Sequence, residues 1–276
     1  MQQFSFHTHT IFSDGKNSAE EMLNQAVKLG WSEIGISDHL IIHENITASP
    51  SWCRWQKEPH IFWNNFEKIY DYFARNCEYI RKISDNYPLK IRLGAEVDFF
   101  PYGGWIEKFI KIRERLDLDY CISGNHYLIL DDQYHNLLDI KDVDKIDSNQ
   151  QVKAIRRHLK TLCLAAQSGL FEFIAHIDYM RKVDIFTDPQ FDEDKKEVIE
   201  FFAHNDITTE ISTKGLRKNG VFYPCLPMLK QLVDNRVKLV ISDDAHRVEE
   251  LGYQFDYAEK TLQELNCINR WSFVDK

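Results

Sequence analysis

The sequence contains no stretch of 18 uninterrupted apolar residues, so no membrane-spanning helix is expected and a soluble protein is. It is also poor in glycine and proline, with 11 and 7 among 276 residues, which excludes collagen-like and low-complexity disordered classes. An excess of positive charge is missing too. The formal net charge is -9, which argues against a broad footprint on nucleic acid or on an anionic membrane, so any affinity for phosphate has to be local. The six cysteines, at positions 53, 77, 121, 163, 225 and 267, include no CxxC pair. The first residues, Met1 to Phe6, read as a strand and not as a secretory leader. Reduced, inert thiols in a cytoplasmic protein are therefore expected. No feature specifies an oligomeric state.

What is present is ample material for a core, at 43% hydrophobic and 13% aromatic residues. Seven short runs rich in β-branched and aromatic residues alternate with helical patterns: 3–8, 33–37, 90–97, 119–123, 172–176, 207–212 and 237–242. Ser18 and Glu21 form a capping box that starts a helix running to Gly30. Met22, Leu23, Ala26, Val27 and Leu29 stripe one face of it, and similar stripes mark helices over 62–83 and 152–166. Repeated strand, helix, strand units require parallel strands joined by right-handed crossovers, and seven of them predict one barrel domain over 1–276. A long insertion at 40–60 carries Trp52 and Trp55, with Trp63 nearby; it reads equally as a lid or as a satellite core.

The chemistry lies at the predicted strand ends. His7 and His9 end the first, Asp38 and His39 the second, Glu96 and Asp98 the third. His126 follows the fourth, His176 and Asp178 end the fifth, Glu210 the sixth, and Asp243, Asp244 and His246 the seventh. In a parallel barrel all of these open onto one face, so groups spread over the whole chain converge in one mouth. Six of the eleven histidines sit at such exits, whereas His43, His60, His135, His158 and His204 do not. Side chains two apart on an extended chain leave the same face, so His7 and His9 can share an ion. Imidazole and carboxylate donors without thiolates suit zinc, manganese or iron, and there are more of them than one tetrahedral ion needs. A multinuclear centre of two or three divalent ions, with Glu96 as the bridging carboxylate, is the expectation. Neighbouring divalent ions can present a bridging hydroxide to phosphorus. A closed structural metal site is the blander reading.

In these residues the sequence resembles the polymerase and histidinol phosphatase (PHP) superfamily, a distorted seven-stranded, TIM-like (β/α)7 barrel with its metal site at the C-terminal strand ends. The resemblance rests on His7-Thr8-His9 with Ser13-Asp14-Gly15, Ser37-Asp38-His39, Glu96, His126, His176 and Asp244-Ala245-His246, in that order. It implies His7, His9, Glu96 and Asp244 on one ion, Glu96, His126 and His176 on a second, and Asp14, His39 and His246 on a third. Asp38, Asp98, Asp178 and Asp243 would orient ligands.

The stretches Gly94-Ala95-Glu96-Val97-Asp98-Phe99 and Glu210 to Lys218, followed by Tyr223-Pro224, are similar to histidinol-phosphate phosphatases. That resemblance implies a metal-dependent phosphomonoesterase converting L-histidinol phosphate to L-histidinol and phosphate in histidine biosynthesis, by attack of a metal-bridging hydroxide. Arg181 and Arg217 would grip the phosphate of this small substrate, with no nucleic-acid or membrane partner. Asp244 and His246 are the nearest candidates for protonating the leaving oxygen. The chain departs from the family at Ser212, Lys214, Asn125 and Asp243, changes that bear on the pocket and leave every proposed ligand in place. The rivals are a PHP phosphoesterase for another small phosphate ester or a nucleic-acid end, and a non-catalytic metal-binding module.

Overall fold

The computed structural model describes residues 2–40, 66–102, 104–130, 133–136, 147–182 and 184–273. The insertion carrying Trp52 and Trp55 lies outside the described residues, as does Trp63. Seven strands make one parallel sheet: β1 (Glu33–Ile36), β2 (His39–Leu40), β3 (Lys90–Val97), β4 (Tyr120–Ser123), β7 (Phe173–Ile174), β8 (Thr208–Ser212) and β9 (Lys238–Ser242). Their order is β1-β3-β4-β7-β8-β9, with β2 pairing onto the far end of β3. The sheet curls into a distorted half-barrel with helices packed outside, matching the expected α/β class.

The expected first strand is not a regular one. Residues 5–9 bridge the two edges of the sheet: Gly35 N donates to Ser5 O at 2.8 Å, and His9 N donates to Ala245 O at 2.8 Å. Side chains take the amides that a regular ladder would use. Thr8 N donates to the Ser37 hydroxyl at 3.0 Å, and Thr10 N donates to the Asp38 carboxylate at 2.7 Å. An antiparallel hairpin, β5 (Tyr127–Leu130) with β6 (Gln133–Asn136), was not expected; it follows β4 with no helix between, so the strand–helix alternation passes over it.

The helices follow their apolar stripes only in part, since Val27 and Leu29, expected on the packed face of the first helix, are exposed. The capping box of Ser18 and Glu21 starts α1 (Ala19–Lys28), which buries Ala19, Met22, Leu23 and Ala26 against the sheet. Likewise α2 (Phe66–Ser84) and α4 (Ser148–Gln167) occupy the regions with the predicted stripes; α3 (Trp105–Leu116), α5 (Asp192–His204), α6 (Lys214–Asn219), α7 (Leu226–Asp234) and α8 (Phe255–Glu264) are the other α-helices among the described residues. Alternation along the strands divides the interior. Leu93, Ala95, Leu239 and Ile241 join the large core under the helices, while Tyr120, Ile122, Phe173 and Val240 form a smaller core with Phe6, packed against Trp271 and Phe273. Gly35 and Gly94 lie against the Tyr120 ring, where a Cβ would collide with it. No helix among the described residues is long and apolar enough to cross a membrane.

Candidate metal centre

The strand exits turn sharply, and the turns aim the donors. Asn125, His176 and Asp244 have φ of 49°, 26° and 47°, left-handed values that cost a non-glycine residue strain and that cluster at functional sites. Gly124 has no side chain because a Cβ there would strike Glu96 Oε1. Glu96 is the hub. Its Oε2 lies 3.3 Å from His7 Nε2, 3.3 Å from His9 Nε2 and 3.1 Å from His39 Nδ1. Its Oε1 lies 3.0 Å from His176 Nε2 and 3.4 Å from His126 Nε2. Five imidazoles thus share one carboxylate that is 1% exposed.

Asp244 extends the cluster. Its Oδ1 is 3.6 Å from His7 Nε2 and 3.4 Å from His9 Nε2, while its Oδ2 pairs with Lys214 Nζ at 2.7 Å. Asp14 approaches His246 Nε2 at 3.0 Å and His39 Nε2 at 3.5 Å. All nine predicted metal ligands therefore fall in one neighbourhood. Four overlapping sets bring their ligand atoms within 4.8 Å of one another: His9, Asp14, His39 and His246; His7, Glu96 and His176; His7, His9 and Asp244; His39, Glu96 and His126.

The donors fit divalent cations on two further grounds. His7 Nε2, both ring nitrogens of His9 and Asp244 Oδ1 are buried without a hydrogen-bond partner, an arrangement that costs free energy unless something fills the gap. Ligand atoms about 2.1 Å from a tetrahedral ion stand roughly 3.4 Å apart, which is the spacing found here.

Electrostatics point the same way. Burial alone would raise the Glu96 carboxyl, but His7, His126 and His39 hold it well below its usual range. Burial likewise opposes Asp244, which Lys214 and His7 keep low, and Asp14, which His246 and His39 keep low. Burial depresses His39 to about 4 and lowers His176. His7 is raised well above its ordinary value despite burial, because Asp244, Glu210 and Glu96 surround it. The cluster thus holds ionised carboxylates and a mixture of neutral and protonated imidazoles, charges that cations would replace.

The buried acids outside this set divide by role. Asp98 meets the expectation: its Oδ1 lies 3.1 Å from His126 Nδ1 and also accepts the His126 backbone N–H. The other three do not touch a ligand imidazole. Asp38 accepts from Thr10 and Ser13 and so holds the turn that carries Asp14; Asp178 accepts from Cys225 N at 2.8 Å; Asp243 accepts from the Ser5 hydroxyl and Gly252 N. Their side chains point back into the protein, tying loops, because a chain turning out of a strand alternates which side chains reach the mouth.

Glu210 is the positioning residue left unassigned by the sequence. Its Oε2 lies 2.9 Å from His7 Nδ1 and accepts from Ser242 Oγ at 2.6 Å, and its Oε1 accepts from His176 N at 2.8 Å. It stands in the middle of β8, and its sequence signals are its place in the predicted sixth strand and in the stretch Glu210 to Lys218 that resembles histidinol-phosphate phosphatases. Glu210→Gln is expected to weaken metal affinity about 10–100-fold, the usual effect of removing a partner that orients a ligand. Competition against a chromogenic chelator measures this, and unchanged affinity would make Glu210 a purely structural acid.

A cavity of about 680 Å³ opens directly above the cluster. Asp14, His39, His126 and His246 reach it from the cluster, and Tyr179, Tyr223, Lys214 and Arg217 supply walls. Arg217 Nη2 donates to Asp243 O at 2.9 Å and Asp244 O at 3.2 Å, while its Nε and Nη1 are buried without partners. Arg181 is placed by its backbone in a turn at 179–182; its side chain lies outside what the structure describes.

A curled parallel sheet with a histidine- and carboxylate-rich centre at its C-terminal edge, under an open cavity, defines an α/β-barrel protein built to hold metal ions. A family model described as the PHP domain matches residues 5–214, and the chain belongs to that family. It is 26% identical to a "probable histidinol-phosphatase" of Deinococcus radiodurans, over 94% of this chain and 92% of that one. It is 24% identical to another so named from Clostridium acetobutylicum, over 99% and 97%. Its fold is similar to that of the histidinol phosphate phosphatase of Lactococcus lactis solved with zinc, L-histidinol and phosphate. The TM-score is 0.61 at 16% identity, covering 99% of this chain and 98% of that one.

Proposed function

We propose that this protein is a metal-dependent phosphomonoesterase that hydrolyses L-histidinol phosphate to L-histidinol and phosphate, a step of histidine biosynthesis. The observation that carries the reading is Glu96, one buried carboxylate placed among five imidazoles, two of which, His39 and His126, line the cavity. Two full-length relatives named as probable histidinol-phosphatases, and a structural neighbour solved with zinc, histidinol and phosphate, support the substrate.

The proposed ligands are His7, His9, Asp14, His39, Glu96, His126, His176, Asp244 and His246, for two or three divalent ions, with zinc, manganese and iron as the candidates. When bound, such ions supply Lewis acidity to the phosphoryl oxygens and lower the pKa of water to near neutrality. The protein's own residues hold the geometry. Glu210 and Asp98 fix the rings of His7 and His126 by their Nδ1 atoms, so that Nε2 of each faces Glu96. Arg217, held by Asp243 O, Asp244 O and Glu250 on the cavity wall, is the proposed grip on the phosphate, and Arg181 is its proposed companion. Asp244 and His246 are the two groups nearest to the task of protonating the leaving alkoxide, but both are proposed ligands, and the ring nitrogens of His246 already face Asp14 and Asp244 O, so the proton donor stays unassigned. Tyr179 and Tyr223 give the cavity aromatic walls suited to the substrate's cationic amine and imidazole.

The reading treats 1–276 as one domain and the protein as cytoplasmic. The test is release of inorganic phosphate from histidinol phosphate beside a panel of other monoesters, with and without chelator. Chelator-sensitive release with histidinol phosphate preferred is the expected result. Preference for another ester would move the substrate, and no release from any ester would remove the enzymatic reading.

A further inference from the structure

Lys214 has a place in the site that the metal ligands do not account for. It opens α6 just past the end of β8, and its side chain is 17% exposed on the cavity wall. Its Nζ sits 2.7 Å from Asp244 Oδ2, the oxygen that faces away from His7 and His9. The ammonium is therefore one carboxylate removed from the donor cluster, on the side open to substrate. An ammonium has three N–H donors, and Asp244 Oδ2 takes one. Three residues along the same helix, Arg217 is anchored by Asp243 O and Asp244 O. Two cations from one short helix thus converge beside Asp244.

A lone lysine and aspartate paired in a largely enclosed site contribute little net stability, because desolvation offsets their attraction. A ligand that used the remaining donors would give the charge a purpose. An oxyanion in the cavity would meet the ammonium at charge-assisted hydrogen-bond range while Asp244 holds the lysine in place. At a given distance a dianion gains twice the Coulomb energy of a monoanion.

We propose that Lys214 binds the phosphoryl oxygens of the substrate as a fixed cation beside the metal ligands, and so favours dianionic monoesters over monoanionic diesters. This rests on the phosphomonoesterase reading and adds to it a residue that selects the charge of the substrate.

The experiment compares the metal-loaded wild type with Lys214→Ala, Lys214→Met and Lys214→Arg. Metal content per chain, KM and kcat, the inhibition constant of inorganic phosphate, and the ratio of monoester to diester hydrolysis are measured for each. Phosphate binding is also titrated directly by calorimetry. For Lys214→Ala and Lys214→Met, the inhibition constant and KM should rise about tenfold or more at unchanged metal content, since a charge-assisted hydrogen bond is lost. The monoester preference should fall, and Lys214→Arg should recover most of it. Wild-type phosphate affinity and ester ratio in the alanine and methionine variants would overturn the proposal. So would loss of metal in both variants with no separate loss of phosphate affinity, which would make Lys214 a counter-ion of Asp244 alone. If the wild type releases phosphate from no ester, the phosphomonoesterase reading fails, and the calorimetric titration of phosphate still decides for or against Lys214.

Discussion

Glu96→Gln is expected to remove metal and activity together. The change keeps the size and shape of the side chain and deletes its charge, at the one position where five imidazoles meet. Its two oxygens serve different groups, Oε2 toward His7, His9 and His39, and Oε1 toward His126 and His176, so a neutral amide cannot replace both roles. The amide NH2 would repel a cation, and where it donated to an unprotonated ring nitrogen it would occupy the lone pair an ion needs. Metal-ion stabilisation of the transition state amounts to several kcal/mol, and about 1.4 kcal/mol is a factor of ten, so a fall in kcat/KM of about a hundred- to a thousandfold is expected. Metal analysis alongside the phosphate assay checks it. Full metal content with normal turnover would remove Glu96 from the centre of the site.

The second large effect is on stability. Ions that bind only the folded chain stabilise it by about 2.7 kcal/mol at a concentration a hundred times Kd. For a protein of this size a kcal/mol shifts the melting midpoint by about 2–4 °C, so each tightly bound ion should raise Tm by about 5–10 °C over chelator-treated protein. The stabilisation has a pH sign. His7 and His126 are raised above the ordinary imidazole value, His7 because Asp244, Glu210 and Glu96 outweigh burial and His126 because Asp98 and Glu96 do. In the metal-free protein these rings hold protons below their raised values, and an ion must displace them. The metal-dependent gain in Tm should therefore grow as pH rises through that range and shrink as pH falls below it. Scanning calorimetry at several pH values with and without zinc or manganese measures this. A midpoint indifferent to chelator would leave the cluster as a buried network without an ion.

Much of the centre was legible because strand geometry is simple. Parallel strands end on one face, so His7, His9, His39, Glu96, His126, His176, Asp244 and His246 could be placed together from strand ends alone. Asp14 is a harder case, since Ser13-Asp14-Gly15 reads as an ordinary turn. It reaches His246 because Asp38 ties down Thr10 and Ser13. The hydroxyls and acids that replace ladder bonds along 5–10 were not legible: alternation reports which face a residue takes, and not which amide a side chain captures.

Asp98 and Asp243 show the same boundary. Both follow a strand within a few residues of a ligand, yet one holds His126 while the other accepts from Ser5 and Gly252. Left-handed backbone at Asn125, His176 and Asp244 sets those directions; Asn, His and Asp tolerate that conformation better than most residues, but residue type alone does not say where it is adopted. Lys214 and Glu210 likewise gain their meaning from contacts made 30 and 203 positions away, with Asp244 and His7.

By itself, then, the sequence pointed to the α/β barrel class and to most of the imidazoles and acids that meet at the strand exits, because hydrophobic period and strand polarity are local properties of the chain. Only the tertiary structure decided which acids orient imidazoles, which merely tie loops, and where Lys214 and Arg217 stand beside Asp244. Those choices depend on dihedral angles at the strand exits and on contacts between distant segments, which exist only once the sheet has curled.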